Sequence, residues 1–286
     1  MSAPATTSKM NSNPAHQSDE PAPNTSQKAA PADPQTPVPV DLMGVQFFGG
    51  TEAQCVETVI AASNAGSGGW VVTPNVDILR RLVNDPTIRQ LTQPADLFVA
   101  DGMPLIWASK LQRTPLPERV CGSNLILSIS QAAATNNRTV FLLGGDPGTA
   151  ESAKAELEKR YEGINIVGTH CPPFGFEGEE QQYENLVNTV AETQPDIVFV
   201  ALGFPRQERV IERLRQHLPN AWFIGVGISF SFVTGQVRRA PKWMQKTGLE
   251  WVHRLAQEPN RLIRRYLIDD IPFALRLLIN ATFKRR

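Results

Sequence analysis

"RTVFLLGGDPGTAESAKAELEKRY", residues 138–161, decides the fold. Val140 to Leu143 are consecutive large apolar side chains, the mark of a strand buried on both faces. Gly144 and Gly145 stop the run. After Asp146-Pro147-Gly148, the Ala, Glu, Lys and Leu of 149–161 form a strong helix sequence. Strand, glycine turn, helix is one unit of an α/β domain. The unit repeats outward in both directions. "GWVVT" (69–73) precedes "PNVDILRRLVND", where Val76, Leu79 and Leu82 have helical spacing. "DLFVAD" (96–101) precedes the apolar helix "PLIWASKL", and "NLILSISQAAA" (124–134) is a further helix. "INIVGTH" (164–170) and "DIVFVALG" (196–203) are strands, each followed by a helix, and "AWFIGVG" (221–227) is the last strand. Apolar strands separated by helices predict a mostly parallel sheet with helices on both faces.

The ends of the chain differ from this middle. Residues 1–38 are mostly Pro, Ala, Ser, Thr, Asn and Gln. They lack the apolar surface that offsets chain entropy and are expected to be disordered. They also lack the apolar run of a secretory signal. After Pro241 no strand pattern is left. Residues 244–286 read as a helical appendage of two or three short helices, broken at Pro259 and again at Pro272, leaving 39–243 as the core. The whole chain has net charge 0, but Arg238–Arg286 carry 12 Lys/Arg against 4 Asp/Glu, or +8. That asymmetry predicts an acidic partner for the tail and no general affinity for nucleic acid. An anionic membrane surface fits, since each Lys or Arg near such a leaflet is worth about 1 kcal/mol. No run of about 18 uncharged apolar residues exists to span a bilayer.

In an open parallel sheet, ligands bind beyond the carboxyl ends of the strands. Four turns converge there: "TPN" (73–75), "ADG" (100–102), "GGDPGT" (144–149) and "GFPRQE" (203–208). Asp101, behind an apolar run and before Gly102, is placed to take a proton, seat a hydroxyl or cap a helix. Thr73 is a candidate N-cap, with Asn75 facing solvent as the plain alternative to a ligand contact. Gln207 can donate and accept at one ligand group, and Glu208 at a helix start has the plain role of stabilising it. "GGDPGT" is either a capped tight turn or the wall of a nucleotide-sugar pocket, because it is neither GxGxxG nor a P-loop. Cys55, Cys121 and Cys171 are far apart with no CxxC, which suits a reducing cytoplasm and supplies no zinc site. His170–Cys171 is the only close His/Cys pair. There is no DxD to hold Mg²⁺ on a diphosphate, so arginines would have to neutralise one. At about 100° per residue, Arg254, Arg261 and Arg265 lie within about 40° of one another, provided the helix continues through Pro259.

Taken in order, "TPNVDIL", "ADGMPLIWASK", "RVCGSNL", "FLLGGDPGTAE", "PDIVFVALGFPRQE" and "RAPKWMQKTGLEWVHRLAQEPNRLIRRYL" resemble the WecG/TagA/CpsF glycosyltransferases (glycosyltransferase family 26) over about residues 41–270. The resemblance implies a Rossmann-like α/β core whose C-terminal appendage touches the membrane and completes the active site. It implies inverting, metal-independent transfer from a UDP-sugar to a polyprenyl-diphosphate-linked sugar, with no cofactor, at the cytoplasmic membrane face, in making cell-surface polysaccharide. It assigns Asp101 as base, Thr73 with Asn75, Arg119 and Gln207 as substrate-binding, and Arg254, Arg261 and Arg264 as the appendage arginines. Two positions depart from the family pattern: Ser231 and Asn124 each stand where an acid is usual. A homo-oligomer is compatible with all of this. A non-catalytic UDP-sugar-binding membrane adaptor and a nucleotide-dependent oxidoreductase are the rival readings. The lack of GxGxxG weighs against the second.

Overall fold

The computed structural model describes Met1 and residues 37–284, apart from the side chains of Lys246 and Arg261. The expectation for residues 1–38 therefore falls almost wholly outside the described residues. The first elements among the described residues are β1 (Val40–Leu42) and β2 (Val45–Phe47), an antiparallel hairpin that the sequence pattern did not reveal. Then follow α1 (Glu52–Asn64), β3 (Gly69–Val72), α2 (Val76–Asn84), α3 (Pro86–Thr92), β4 (Leu97–Phe98), α4 (Met103–Leu111) and α5 (Gly122–Thr135). The second half comprises β5 (Thr139–Gly144), α6 (Thr149–Arg160), β6 (Asn165–His170), α7 (Glu180–Glu192), β7 (Ile197–Ala201), α8 (Arg206–His217), β8 (Trp222–Gly225) and α9 (Ser229–Val233). The main sheet has six strands, all parallel, in the order β4-β3-β8-β7-β5-β6.

The strands are apolar throughout because both faces are covered. In β5, Val140 and Leu142 pack with Leu125, Ile129 and Ala153 on one face, while Phe141 and Leu143 pack with Leu186, Val190 and Ile211 on the other. Truncating such a side chain, Phe141→Ala for example, is expected to cost roughly 3–5 kcal/mol. β4 is shorter than the apolar run "DLFVAD" because the strand it pairs with, β3, ends at Val72, and Pro74 just beyond has no N–H to continue a ladder. The run stays extended beyond β4: Val99 N–H bonds the Val72 carbonyl and Asp101 N–H the Pro74 carbonyl, both at 2.9 Å.

The tail is helical, as its pattern predicts, but is divided differently. It comprises α10 (Lys242–Thr247), α11 (Glu250–Gln257), α12 (Pro259–Arg264), a π-helical turn (Arg265–Asp270) and α13 (Ile271–Phe283). Pro259 does mark a break: Glu258 between α11 and α12 has non-helical angles, and Pro259 opens α12. Pro272 does not. Asp270 and Ile271 keep helical angles, and Pro272 falls in the first turn of α13. A wider π-helical turn directly before a proline absorbs the missing N–H without ending the helix. Phe273, Leu277 and Ala281 of α13 are buried with Ile78, Leu105 and Leu116, so the appendage is packed on α2 and α4.

Candidate active site

The strand order brings the ends of β4, β3, β8, β7 and β5 to one edge, and all four sequence turns open onto a single cavity of about 880 Å³ there. Thr73 and Asn75, Asp101 and Gly102, Gly145 and Asp146, and Gly203 and Gln207 all line it. Gly144 lets β5 turn away. It has φ +98°, and a Cβ there would lie 2.7 Å from the Ala201 carbonyl oxygen.

Asp101 accepts from Gly122 N–H at 3.4 Å and keeps part of its surface open to the cavity. Burial lifts its pKa to about 6. Arg119 opposes the rise, Glu250 adds to it, and the Gly122 amide and Arg239 oppose it. Arg119 lines the cavity and donates to Glu250 at 2.6 Å, while Arg239 reaches the other oxygen of Glu250 at 3.4 Å. Arg239 also donates to Asn124 Oδ1 at 2.7 Å and to Cys121 Sγ at 3.3 Å. Asn124 in turn donates to Glu52 at 3.0 Å. An asparagine serves here where an acid would not, since it accepts from a guanidinium and donates to a carboxylate at once. Ser231 stands on α9 in the cavity wall.

Thr73 does not cap α2. Asn75 does, accepting from Ile78 N–H at 3.1 Å. The Thr73 hydroxyl donates instead to the Gly225 carbonyl at 2.8 Å. Gln207 is buried against the same glycine. Arg254 of α11 lines the cavity, and no ion pair involves it among the described residues. Arg264 is exposed and is not part of the cavity wall. Its neighbour Arg265, the third member of the angular set read from the sequence, is. The side chain of Arg261 lies outside the described residues.

Asp77, Asp270, Arg239 and Glu250 were not singled out from the sequence. Arg265 pairs with Asp77 at 3.2 Å and Asp270 at 3.4 Å. Asp77 also holds Arg80 at 2.7 Å and Arg81 at 3.2 Å, and Arg80 lies 3.6 Å from Asp270. Burial, then the nearby Asp77, raises the Asp270 pKa to about 6. Glu250 and Arg239 had no signal beyond lying within quoted motifs. Asp77 had one, as an acid in the first turn of α2 whose arginine partners follow at helical spacing.

Beyond the arginines the wall turns apolar: Met103, Trp107, Ile271, Ala274, Leu275 and Leu278 of α4 and α13. Among the described residues, no group of three or more His, Cys, Asp or Glu side chains is placed to hold a metal ion. A carboxylate, arginines and an apolar lip around one cavity suit a phosphorylated, lipid-bearing substrate. The family comparison agrees: the model of the glycosyl transferase WecG/TagA/CpsF family matches residues 40–286. The chain belongs to this family. It is thus a glycosyltransferase of cell-surface polysaccharide synthesis on a Rossmann-like fold. No helix among the described residues is long and apolar enough to cross a membrane.

Proposed function

We propose that this glycosyltransferase moves a sugar from a UDP-sugar onto a sugar carried by a polyprenyl diphosphate, with inversion and without a metal. The observation that carries the reading is Asp101, part open to a cavity that Arg119, Arg254 and Arg265 also line. Asp101 takes the proton of the acceptor hydroxyl as that oxygen bonds to the donor's anomeric carbon. The bond from that carbon to the diphosphate oxygen breaks on the opposite face, and its electron pair leaves with UDP. A base with a pKa of about 6 is ionised at neutral pH yet still basic enough to share a proton in the transition state. Charge grows on the diphosphate oxygens, where arginines of the appendage form charge-assisted hydrogen bonds. Arg254 and Arg265 have that role, together with Arg261; Arg264, on the outer face, is left for the membrane. Thr73, Asn75 and Gln207 orient the substrates, and Arg119 holds a phosphate or a donor carboxylate.

The appendage also supports a seat on the inner membrane face. Ile268, Leu275, Ile279 and Phe283 are each more than half exposed, and they recur at helical spacing along the π-helical turn and α13. Arg264 and Arg276 lie exposed among them. Apolar side chains flanked by basic ones bind an anionic leaflet. The apolar lip of Trp107, Leu275 and Leu278 gives the isoprenoid a path to the cavity.

The test is a panel of UDP-sugars (N-acetylmannosamine, glucose, glucuronic acid) with a short-chain polyprenyl-diphosphate sugar. UDP release is followed by mass and the new linkage by NMR. One donor yielding a product of inverted configuration without added metal is expected. UDP binding with no transfer from any donor would favour a sugar-nucleotide-binding adaptor instead.

A further inference from the structure

Next to Gln207 lies a carboxyl that the mechanism does not use. Glu208 is wholly buried, and Gln207 nearly so. The Gln207 amide, Nε2, donates to Glu208 Oε1 at 3.0 Å. Among the described residues, the remaining polar atoms of the pair, Gln207 Oε1 and Glu208 Oε2, have no partner although both are buried. An unpaired buried acceptor costs about 1–3 kcal/mol, and two in one pair call for an explanation. Both are acceptors if Glu208 is ionised. A proton on Glu208 Oε2 turns one of them into a donor, and Gln207 Oε1 is the acceptor left open. Carboxylic acid and primary amide then bond reciprocally, each giving one hydrogen and taking one.

The surroundings favour the neutral acid. Among the described residues, no cation is paired with Glu208. Its neighbours are the Gln207 amide and Gly225 of β8, where a Cβ would lie 2.4 Å from Gln207 Nε2 and 3.6 Å from Glu208 Oε1. On the helices packed against α8, Glu180 of α7 pairs with Arg213 and Arg89 of α3 bonds the Gly44 carbonyl, while Glu184 and Glu192 of α7 are exposed to solvent. Arg213 also covers the ring of Tyr183. Burial pushes the Glu208 pKa up to about 8. The pair sits directly behind the cavity wall, because Gln207 lines it and Gly225 carries the carbonyl that Thr73 holds.

We infer that Glu208 is a positioning residue that works as a neutral acid: its reciprocal pair with Gln207 fixes the wall on which the donor nucleotide rests, and ionisation of Glu208 releases that wall. The inference rests on the cavity taking a sugar nucleotide. Its test uses the full chain and UDP itself. Wild type should show an infrared carbonyl band of a protonated buried carboxyl at pH 7 that disappears through about pH 8, and E208Q should lack the band. UDP affinity measured by calorimetry should fall about tenfold between pH 7 and 9 in wild type. E208Q, whose amide cannot ionise, should show no such fall, whereas E208A should bind UDP weakly at every pH. Absence of the band at pH 7, or the same fall in E208Q as in wild type, would overturn the inference. The infrared titration of wild type decides the point even if a variant does not fold. A titrating band in a protein that transfers no sugar sinks the transferase reading and leaves the neutral acid standing; transfer without the band does the reverse.

Discussion

At the scale of single residues the chemistry rests on one carboxylate in a field of guanidinium groups. Because burial raises Asp101 to about 6, and only its ionised form accepts a proton, transfer should rise with pH through that value. Glu250 contributes to the elevation. Glu250→Gln should therefore move the rising limb of the pH–rate profile to lower pH, an effect that simple loss of packing would not produce. At Glu208 the native state favours the protonated acid, so stability is full below the unfolded pKa near 4.5 and declines as pH rises toward 8. E208Q should accordingly melt higher than wild type above pH 7, with the gap closing toward pH 4.5. Sequence alone placed Asp101 at the strand-end edge onto which the cavity opens, since ligands of a parallel sheet bind beyond the carboxyl ends of its strands. It could not show that Thr73 would spend its hydroxyl on Gly225, or that Asn124 would link Glu52 to Arg239. Those partners are 115 or more residues apart in two of the three contacts, and spacing carries no information at that range.

Among the secondary elements, the join between the α2 region and the π-helical turn matters most. Asp77 is almost fully buried and is shared by Arg80, Arg81 and Arg265, with Asp270 completing the group. Removing the central anion strands cations rather than deleting a neutral contact. Asp77→Ala should destabilise the protein by on the order of 3 kcal/mol, the lower end for a broken buried pair because Arg265 is about a third exposed. Urea denaturation measures this directly. Arg254 and Arg265 both line the cavity, but not on one continuous helix: the run through Pro259 that helical phase required is broken at Glu258. The motif match pointed to Arg264, which faces out. The strands were legible because their apolar runs need no partner to be recognised. The β1–β2 hairpin was not, since three-residue strands joined at Met43-Gly44 leave too short an alternation.

Over the whole molecule, net charge 0 conceals a division of labour between an acidic body and a basic, apolar-faced tail. Ile268→Ser, Ile279→Ser and Phe283→Ser combined should cut sedimentation with anionic vesicles at least about tenfold. The same variant should still act on a short-chain, soluble acceptor, because these side chains face outward. Deleting 244–286 should abolish both properties, since it removes Arg254, Arg265 and Glu250 from the site and uncovers the face of α4 now packed by Phe273 and Leu277. The most direct trial of the central claim is transfer by Asp101→Asn in the full chain, with the accepted UDP-sugar and lipid-linked acceptor. The variant should fold, bind UDP as wild type does, and transfer at least about 100-fold more slowly. Transfer at the wild-type rate would contradict the account.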